Sequence, residues 1–262
     1  MTFALYAIAL LIGVSLGLIG AGGAIVAVPA LVYLGDVPPP LASGYALFVV
    51  AIASSVGAFQ YLRAKLIDWR SVFAFGATTI TTIAVIRSFV LPSLPDEVSL
   101  FGSQIAVDNI LMMVFGTILL AAGVGMLRSQ PRPLTNEPSH LGRLTMLGLI
   151  IGIISGFLGV GGGFLMTPAL VLWAGLDMKK AVGTSLLLIS TNGMAGVAAD
   201  LSTDVHYEWP FLLTFTALTT LGIMIGTLLS KRMDGQKLKA GFGWFVIVLG
   251  LSILIREVVF QR

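Results

Sequence analysis

Long apolar runs separated by short polar clusters organise this chain. Runs near 42–62, 71–91, 105–127, 181–200, 209–230 and 240–260 each reach the roughly 20 residues that a helix needs to cross hydrocarbon. Their apolar positions do not alternate with a period of two, so they predict transmembrane helices and not barrel strands. A helix also satisfies its own backbone in lipid. Two more apolar stretches are interrupted at glycines, giving 3–18 and 23–34 in the first and 143–158 and 163–174 in the second.

The two interruptions are copies. GLIGAGGAIVAVPALV (17–32) and GFLGVGGGFLMTPALV (156–171) share Gly17, Gly20, Gly22, Gly23, Pro29, Ala30, Leu31 and Val32 with the residues 139 positions later, 8 identities in 16. This is an internal duplication. Each interrupted stretch is either one long span or a helical hairpin folded at the glycines, and loop charge decides between them. If Arg63, Lys65 and Arg70 are cytoplasmic, then Asp96 and Glu97 are outside and Arg128, Arg132 and Arg143 are inside. A single second span would put Lys179, Lys180, Lys231, Arg232, Lys237 and Lys239 outside. A hairpin returns them to the cytoplasm, where 12 of the 15 basic residues then lie. The same logic places the N-terminus and DVPPP (36–40) outside, and both termini outside the cytoplasm.

One half therefore starts outside and the other inside. The expected fold is an all-α integral membrane protein of two inverted-topology repeats, each a glycine-broken helical hairpin followed by three transmembrane helices. The repeats are 1–127 and 141–262, joined by a polar, proline-rich cytoplasmic linker over 128–140.

Composition narrows the function. Of 262 residues, 57% are hydrophobic and 10% charged, against about 25% charged in a soluble domain. The mean hydropathy is +1.00. The net charge of +3 sits in short loops and gives no nucleic-acid signal. The lack of cysteine rules out disulfides, thiolate metal sites and sulfur relay. His140 and His206 fall in loops, no acidic cluster lies within the spans, and no nucleophile stands with a base. Metal pathways, cofactors and hydrolase chemistry are therefore not expected. Asp108, at the start of its helix, reads as an N-terminal charge. The N-terminus lacks a basic n-region and reads as mature structure.

Glycine permits positive φ and close approach, and the helix that follows opens with unpaired N–H groups at a positive dipole end. Two such starts, near Gly23 and Gly162, could aim from opposite faces at an anion near the midplane. The candidate anion-binding residues are Gly20, Gly22, Gly23, Gly159, Gly161, Gly162 and Gly163. They are joined by Thr184, Ser185 and Asn192 of TSLLLISTN, and by Arg87 of TTIAVIRSFVLP. Each has a structural alternative. Glycines let helices pack, as Gly222 and Gly226 of GIMIG do. Ser, Thr and Asn bond between helices, and Arg87 can snorkel or pair with Asp96 or Glu97. Trp69, Trp173, Trp209 and Tyr33 sit near segment ends as interface anchors.

The two GxGGxxxxxP segments, the YLRAKLIDWR loop and the GTSL helix start at 183–186 resemble the TauE/SafE family of membrane transporters over roughly 5–260. The resemblance implies export of sulfite, organosulfonates such as sulfoacetate, or other small organic anions. One departure stands out: TTLGIMIGTLL in the second repeat is TTITTIAVIRSFVLP in the first, with Thr82 and Ile86 where glycines are expected. The resulting expectation is an inner-membrane exporter of small anions working by alternating access, with the lipid bilayer as its surroundings and protons as a candidate coupling ion. A passive anion channel and a non-transporting scaffold are the alternatives.

Overall fold

The computed structural model describes residues 2–20, 24–35, 37–90, 97–100, 103–128, 141–158, 163–200 and 208–260. The first broken stretch forms α1 (Thr2–Ile19) and α2 (Ala24–Gly35), followed by α3 (Pro39–Arg63). The next run is one helical rod made of α4 (Trp69–Ser71), a π-helical segment Val72–Gly76, α5 (Ala77–Val85) and a second π-helical turn Ile86–Val90. After α6 (Val107–Arg128) comes the second set: α7 (Leu141–Leu158), α8 (Gly163–Leu172), α9 (Met178–Asp200), α10 (Trp209–Arg232) and α11 (Gly235–Phe260). Among the described residues, the departure from an all-helical reading is a short antiparallel hairpin. Its strands, β1 (Glu97–Leu100) and β2 (Ser103–Ala106), pair Glu97 with Ala106. Residues 105 and 106, read as the start of a span, belong to this hairpin.

Local chemistry explains several boundaries. Prolines open α3 and α10, where a helix has no use for the missing N–H. Asp68 caps α4 by accepting from the Ser71 N–H (2.9 Å) and hydroxyl (2.6 Å). The two short helices end in the same way. The Val37 N–H donates to the Leu31 carbonyl (3.1 Å) and the Leu176 N–H to the Leu170 carbonyl (2.9 Å), the same six-residue closure 139 positions apart. α2 runs back along α1: a methyl placed on Gly35 would lie 3.5 Å from Leu5 Cδ2. The first broken element is therefore a hairpin that returns to its own end. In the second, Leu172 at the end of α8 packs beside Gly125, near the end of α6 from which the chain leaves toward α7.

Glycine governs the packing of helix on helix. α1 lies along α10 with Gly13 and Gly17 against Gly222 and Gly226, and a methyl on Gly17 would stand 2.6 Å from the Thr227 nitrogen. α7 lies along α5, where Gly148 meets the Phe75 carbonyl and Gly152 meets Thr82. α3 crosses α9, and α6 pairs with α11 through Gly116, Gly123, Gly243 and Gly250. Small residues let backbones approach where lipid offers no hydrophobic drive for helix association. Tyr45, Tyr61, Phe75, Phe215 and Phe242 are the largest fully buried side chains.

The outer surface is apolar. Trp244, Val248, Leu251 and Ile255 make an exposed stripe along α11, and Leu213, Leu221 and Leu228 do so along α10. Among the described residues, Leu41–Arg63, Trp209–Arg232 and Gly235–Ile255 are long and apolar enough to cross a membrane. Shorter apolar helices cover Leu5–Ile19, Met112–Arg128 and Leu141–Ser155. This is a multi-pass membrane protein.

Contacts also sort the loops. At one end, the Lys179 Nζ donates to the Lys231 carbonyl (3.1 Å), the Lys231 Nζ to the Gln60 carbonyl (3.3 Å), and the Asp68 N–H to Thr184 Oγ1 (3.0 Å). The basic loops after α3, before α9 and after α10 thus share one end of the bundle, with ammonium groups on the final carbonyls of α3 and α10. At the other end, the Glu208 N–H donates to the Tyr45 hydroxyl (2.7 Å) and Trp209 packs edge-on against Phe48.

Candidate functional site

The first glycine break meets the second half of the chain at Gly20. This residue closes α1, with its N–H on the Leu16 carbonyl (2.8 Å) and a left-handed φ of +79°. A methyl there would lie 2.6 Å from Ser185 Oγ on α9 and 3.1 Å from Thr167 Oγ1 on α8. Those two fully buried hydroxyls are themselves bonded, Thr167 donating to Ser185 (2.9 Å) and Ser185 to the Val182 carbonyl (2.9 Å). One contact therefore joins the first break, the short helix after the second break, and α9. Just before the break, the Tyr61 hydroxyl reaches the Gly17 carbonyl (3.2 Å) and Ser230 Oγ (2.7 Å), filling an acceptor that the end of α1 leaves open.

The α8–α9 pair sets the level at which α8 begins. The two helices form an antiparallel hairpin in which Thr167 stands against Ser185. Gly163, the first residue of α8, is four positions before Thr167 and so about 6 Å further along α9, level with Ile189. There α9 crosses α3: Ser190 Oγ lies 2.9 Å from Ser55 Oγ, and a methyl on Gly193 would press on Ala51.

Most hydroxyls of these helices are satisfied locally. Thr79, Thr216, Thr219 and Thr227 donate to the carbonyl four residues back, as Ser54 does to Val50. A few buried polar atoms have no partner: the hydroxyls of Ser15, Ser155 and Thr220, Gln60 Oε1, and both Oδ1 and Nδ2 of Asn192. Ser155, only 1% exposed, sits on the last turn of α7 before the second break.

The sequence candidates separate accordingly. Gly20 meets Ser185 of α9, and Asn192 lies two turns further along the same face of that helix. Thr184 also lies on α9, but its oxygen accepts from the Asp68 N–H and ties down the loop after α3. Arg87 lies in the π-helical turn Ile86–Val90, which packs beside α7. Gly22, Gly23, Gly159, Gly161 and Gly162 lie outside the described residues. The glycine departure noted in the sequence has a structural counterpart: Gly13 packs on Thr219 and Gly222, whereas Gly152 packs on Thr79 and Thr82. Thr82 thus stands in the place of Gly222 and Ile86 in that of Gly226, and the helix turns π at Ile86. Sequence reasoning missed Thr167. Its one signal was a hydroxyl before Pro168 where the first copy has Val28.

Known proteins are similar to this chain over nearly its whole length. The family model described as "Sulfite exporter TauE/SafE" matches residues 5–253. A "Probable membrane transporter protein" of Xylella fastidiosa (strain 9a5c) is 29% identical over 94% of this chain and 92% of its own. The "Probable membrane transporter protein YunE" of Bacillus subtilis (strain 168) is 25% identical over 97% of this chain and 98% of its own. The "Probable membrane transporter protein MJ0441" of Methanocaldococcus jannaschii is 23% identical over 94% and 92%. No solved structure matches the chain.

Proposed function

The chain belongs to the sulfite exporter TauE/SafE family, a family of membrane transporters, and from that premise we propose that it exports small anions across the inner membrane by alternating access between two inverted repeats. The observation that carries this reading is the contact of Gly20 with Thr167 and Ser185, where the broken element of one half meets that of the other. Two features support the repeat: the identical closures 139 residues apart, and the exchange by which α1 packs along α10 while α7 packs along α5. In such a transporter one repeat rocks against the other around a shared site.

The chemistry favours a negative cargo. A helix start contributes about half a positive charge, and among the described residues the Asn192 amide adds an uncommitted donor. A compact anion with several acceptor oxygens, such as sulfite or a small sulfonate like sulfoacetate, suits this set. Protons are the coupling ion we propose.

Proteoliposomes made with the purified chain test this reading. Sulfite and sulfoacetate are expected to move, faster with a pH gradient imposed, whereas Ni²⁺ and tetramethylammonium stay put. Flux that follows the membrane potential and ignores the pH gradient identifies a passive anion channel instead. Absence of flux for every anion rejects the transport reading.

Orientation has its own test. With the basic loops in the cytoplasm and both termini outside, single cysteines at 65, 179 and 237 should resist an impermeant thiol reagent in intact cells, and one at 38 should react. External labelling at 179 or 237 overturns the orientation.

A further inference from the structure

One end of the bundle gathers most of the basic residues of the chain. The loops after α3, before α9 and after α10 meet there through Lys179, Lys231 and Asp68. α11 starts at the same end, since a methyl on Gly235 would lie 3.5 Å from Asp177 Oδ1. α6 runs antiparallel to α11, with Gly123 against Gly243 and Gly116 against Gly250, so Arg128 at the close of α6 falls at that end too. α7 runs parallel to the α4–α5 rod, with Gly148 against Phe75 and Gly152 against Thr82, which sets Arg143 level with Arg70. Among the described residues, eleven basic and three acidic ones collect here. The opposite end has the reverse sign: Glu97, Asp108, Asp200, Glu208 and Glu257 stand against Arg87 and Arg256.

The three carboxylates of the basic end are spent on backbone. Asp68 accepts from the Ser71 N–H, Asp177 from the Lys179 N–H (3.1 Å) and Asp234 from the Gln236 N–H (3.2 Å), each at the start of a helix. The ammonium groups of Lys179 and Lys231 go to carbonyls. Among the described residues, Arg63, Lys65, Arg70, Lys180, Arg232 and Lys237 are exposed and form no ion pair. Orientation in a membrane calls for basic residues in such loops but is nearly indifferent to carboxylates beside them. The positive field left at this end is therefore a property additional to orientation.

We infer that this end collects the anionic cargo electrostatically: its exposed basic side chains concentrate small anions where cargo loads, and the acidic opposite end thins them where cargo leaves. Such a field acts on encounter, by about 10- to 1000-fold on association rates in strongly polarised clefts, and it is screened by salt. The inference rests on the anion-transport reading above and adds how that cargo is drawn to one face. In the orientation proposed there, that face is the cytoplasmic one, the loading side of an exporter.

Initial rates of sulfite flux in proteoliposomes of phosphatidylcholine, a lipid of no net charge, provide the test. For the natural chain, KM is expected to rise on the order of tenfold between about 0.01 M and about 0.15 M salt, as the screening length falls from about 30 Å to about 8 Å, while the maximal rate stays constant. At fixed low salt, Lys180→Gln combined with Lys237→Gln should raise KM about two- to threefold and flatten the salt dependence. Glu208→Gln, which removes an exposed charge at the other end, should not raise it. Comparing variants at one salt concentration separates screening from competition by the added anion. A KM indifferent to salt, an unchanged KM in the double lysine variant, or a fall in maximal rate in place of the rise in KM overturns the inference and leaves anion transport standing. A rise in KM for Glu208→Gln equal to that of the lysine variant does the same. Absence of sulfite flux by the natural chain removes the inference, and the other anions then decide whether the transport reading falls with it.

Discussion

Gly20→Val is expected to abolish anion flux in a protein that still inserts in the membrane. Two independent penalties meet at this position. The backbone φ of +79° costs an ordinary L-residue about 1–2 kcal/mol, and a β-branched one is worse placed still. The new Cβ would also fall 2.6 Å from Ser185 Oγ and 3.1 Å from Thr167 Oγ1, so either the hydroxyl pair separates or α1 backs away from α9. In both cases the junction between the two broken elements is lost, while the long helices and their apolar outer surface remain. Gly20→Ala should show a graded loss, because it carries the φ penalty and a smaller volume. Adding Ser185→Gly to Gly20→Ala removes the nearest obstruction and is expected to recover part of the flux if crowding, and not φ alone, is responsible. Flux per inserted molecule in proteoliposomes is the measurement, and wild-type rates in Gly20→Val would show that this junction is not where the cargo passes.

Much of this architecture was legible in the sequence because membrane helices announce themselves by length and apolarity. The run near 209–230 became Trp209–Arg232, and the two glycine-broken stretches became helix pairs within a residue or two of the predicted limits. Folding of the first break into a hairpin was inferred from loop charge, and the approach of Gly35 to Leu5 agrees with it. The rest depended on partners distant in sequence. Thr184 looked like a ligand donor because nothing nearby claims it; its partner is Asp68, 116 residues away. Thr167 looked like part of an apolar helix, and its importance appears only when α8 folds onto α9 and presents it to Ser185. The π-helical turns, which pack beside α7, had no readable signal in the sequence. The β1–β2 hairpin was hidden in part by Ile105, which suits a strand as well as the start of a span.

Gly226→Ile is expected to unfold the α1–α10 interface, although the equivalent position in the first half already holds an isoleucine. In the second half, Gly17 and Gly226 bring two backbones into direct contact. A methyl on Gly226 would collide with the Val14 carbonyl, and one on Gly17 would sit 2.6 Å from the Thr227 nitrogen. Backbone on both sides cannot turn aside as a side chain can, so the helices must part. Overpacking of a well-filled interior costs about 1–3 kcal/mol and occasionally more, and this site belongs at the upper end. In the first half, Ile86 opens the π-helical turn Ile86–Val90. The extra residue of that turn shifts the helix face, which accommodates the isoleucine beside α7. Ile86→Gly should therefore be mild, costing about 1 kcal/mol for glycine within a helix. Thermal unfolding of the detergent-solubilised protein, followed by size-exclusion chromatography, measures both. A large drop in Tm or aggregation is expected for Gly226→Ile and a shift of a few degrees for Ile86→Gly. Equal shifts for the two would mean that the glycine seam and the π-turn are not alternative solutions to the same packing problem.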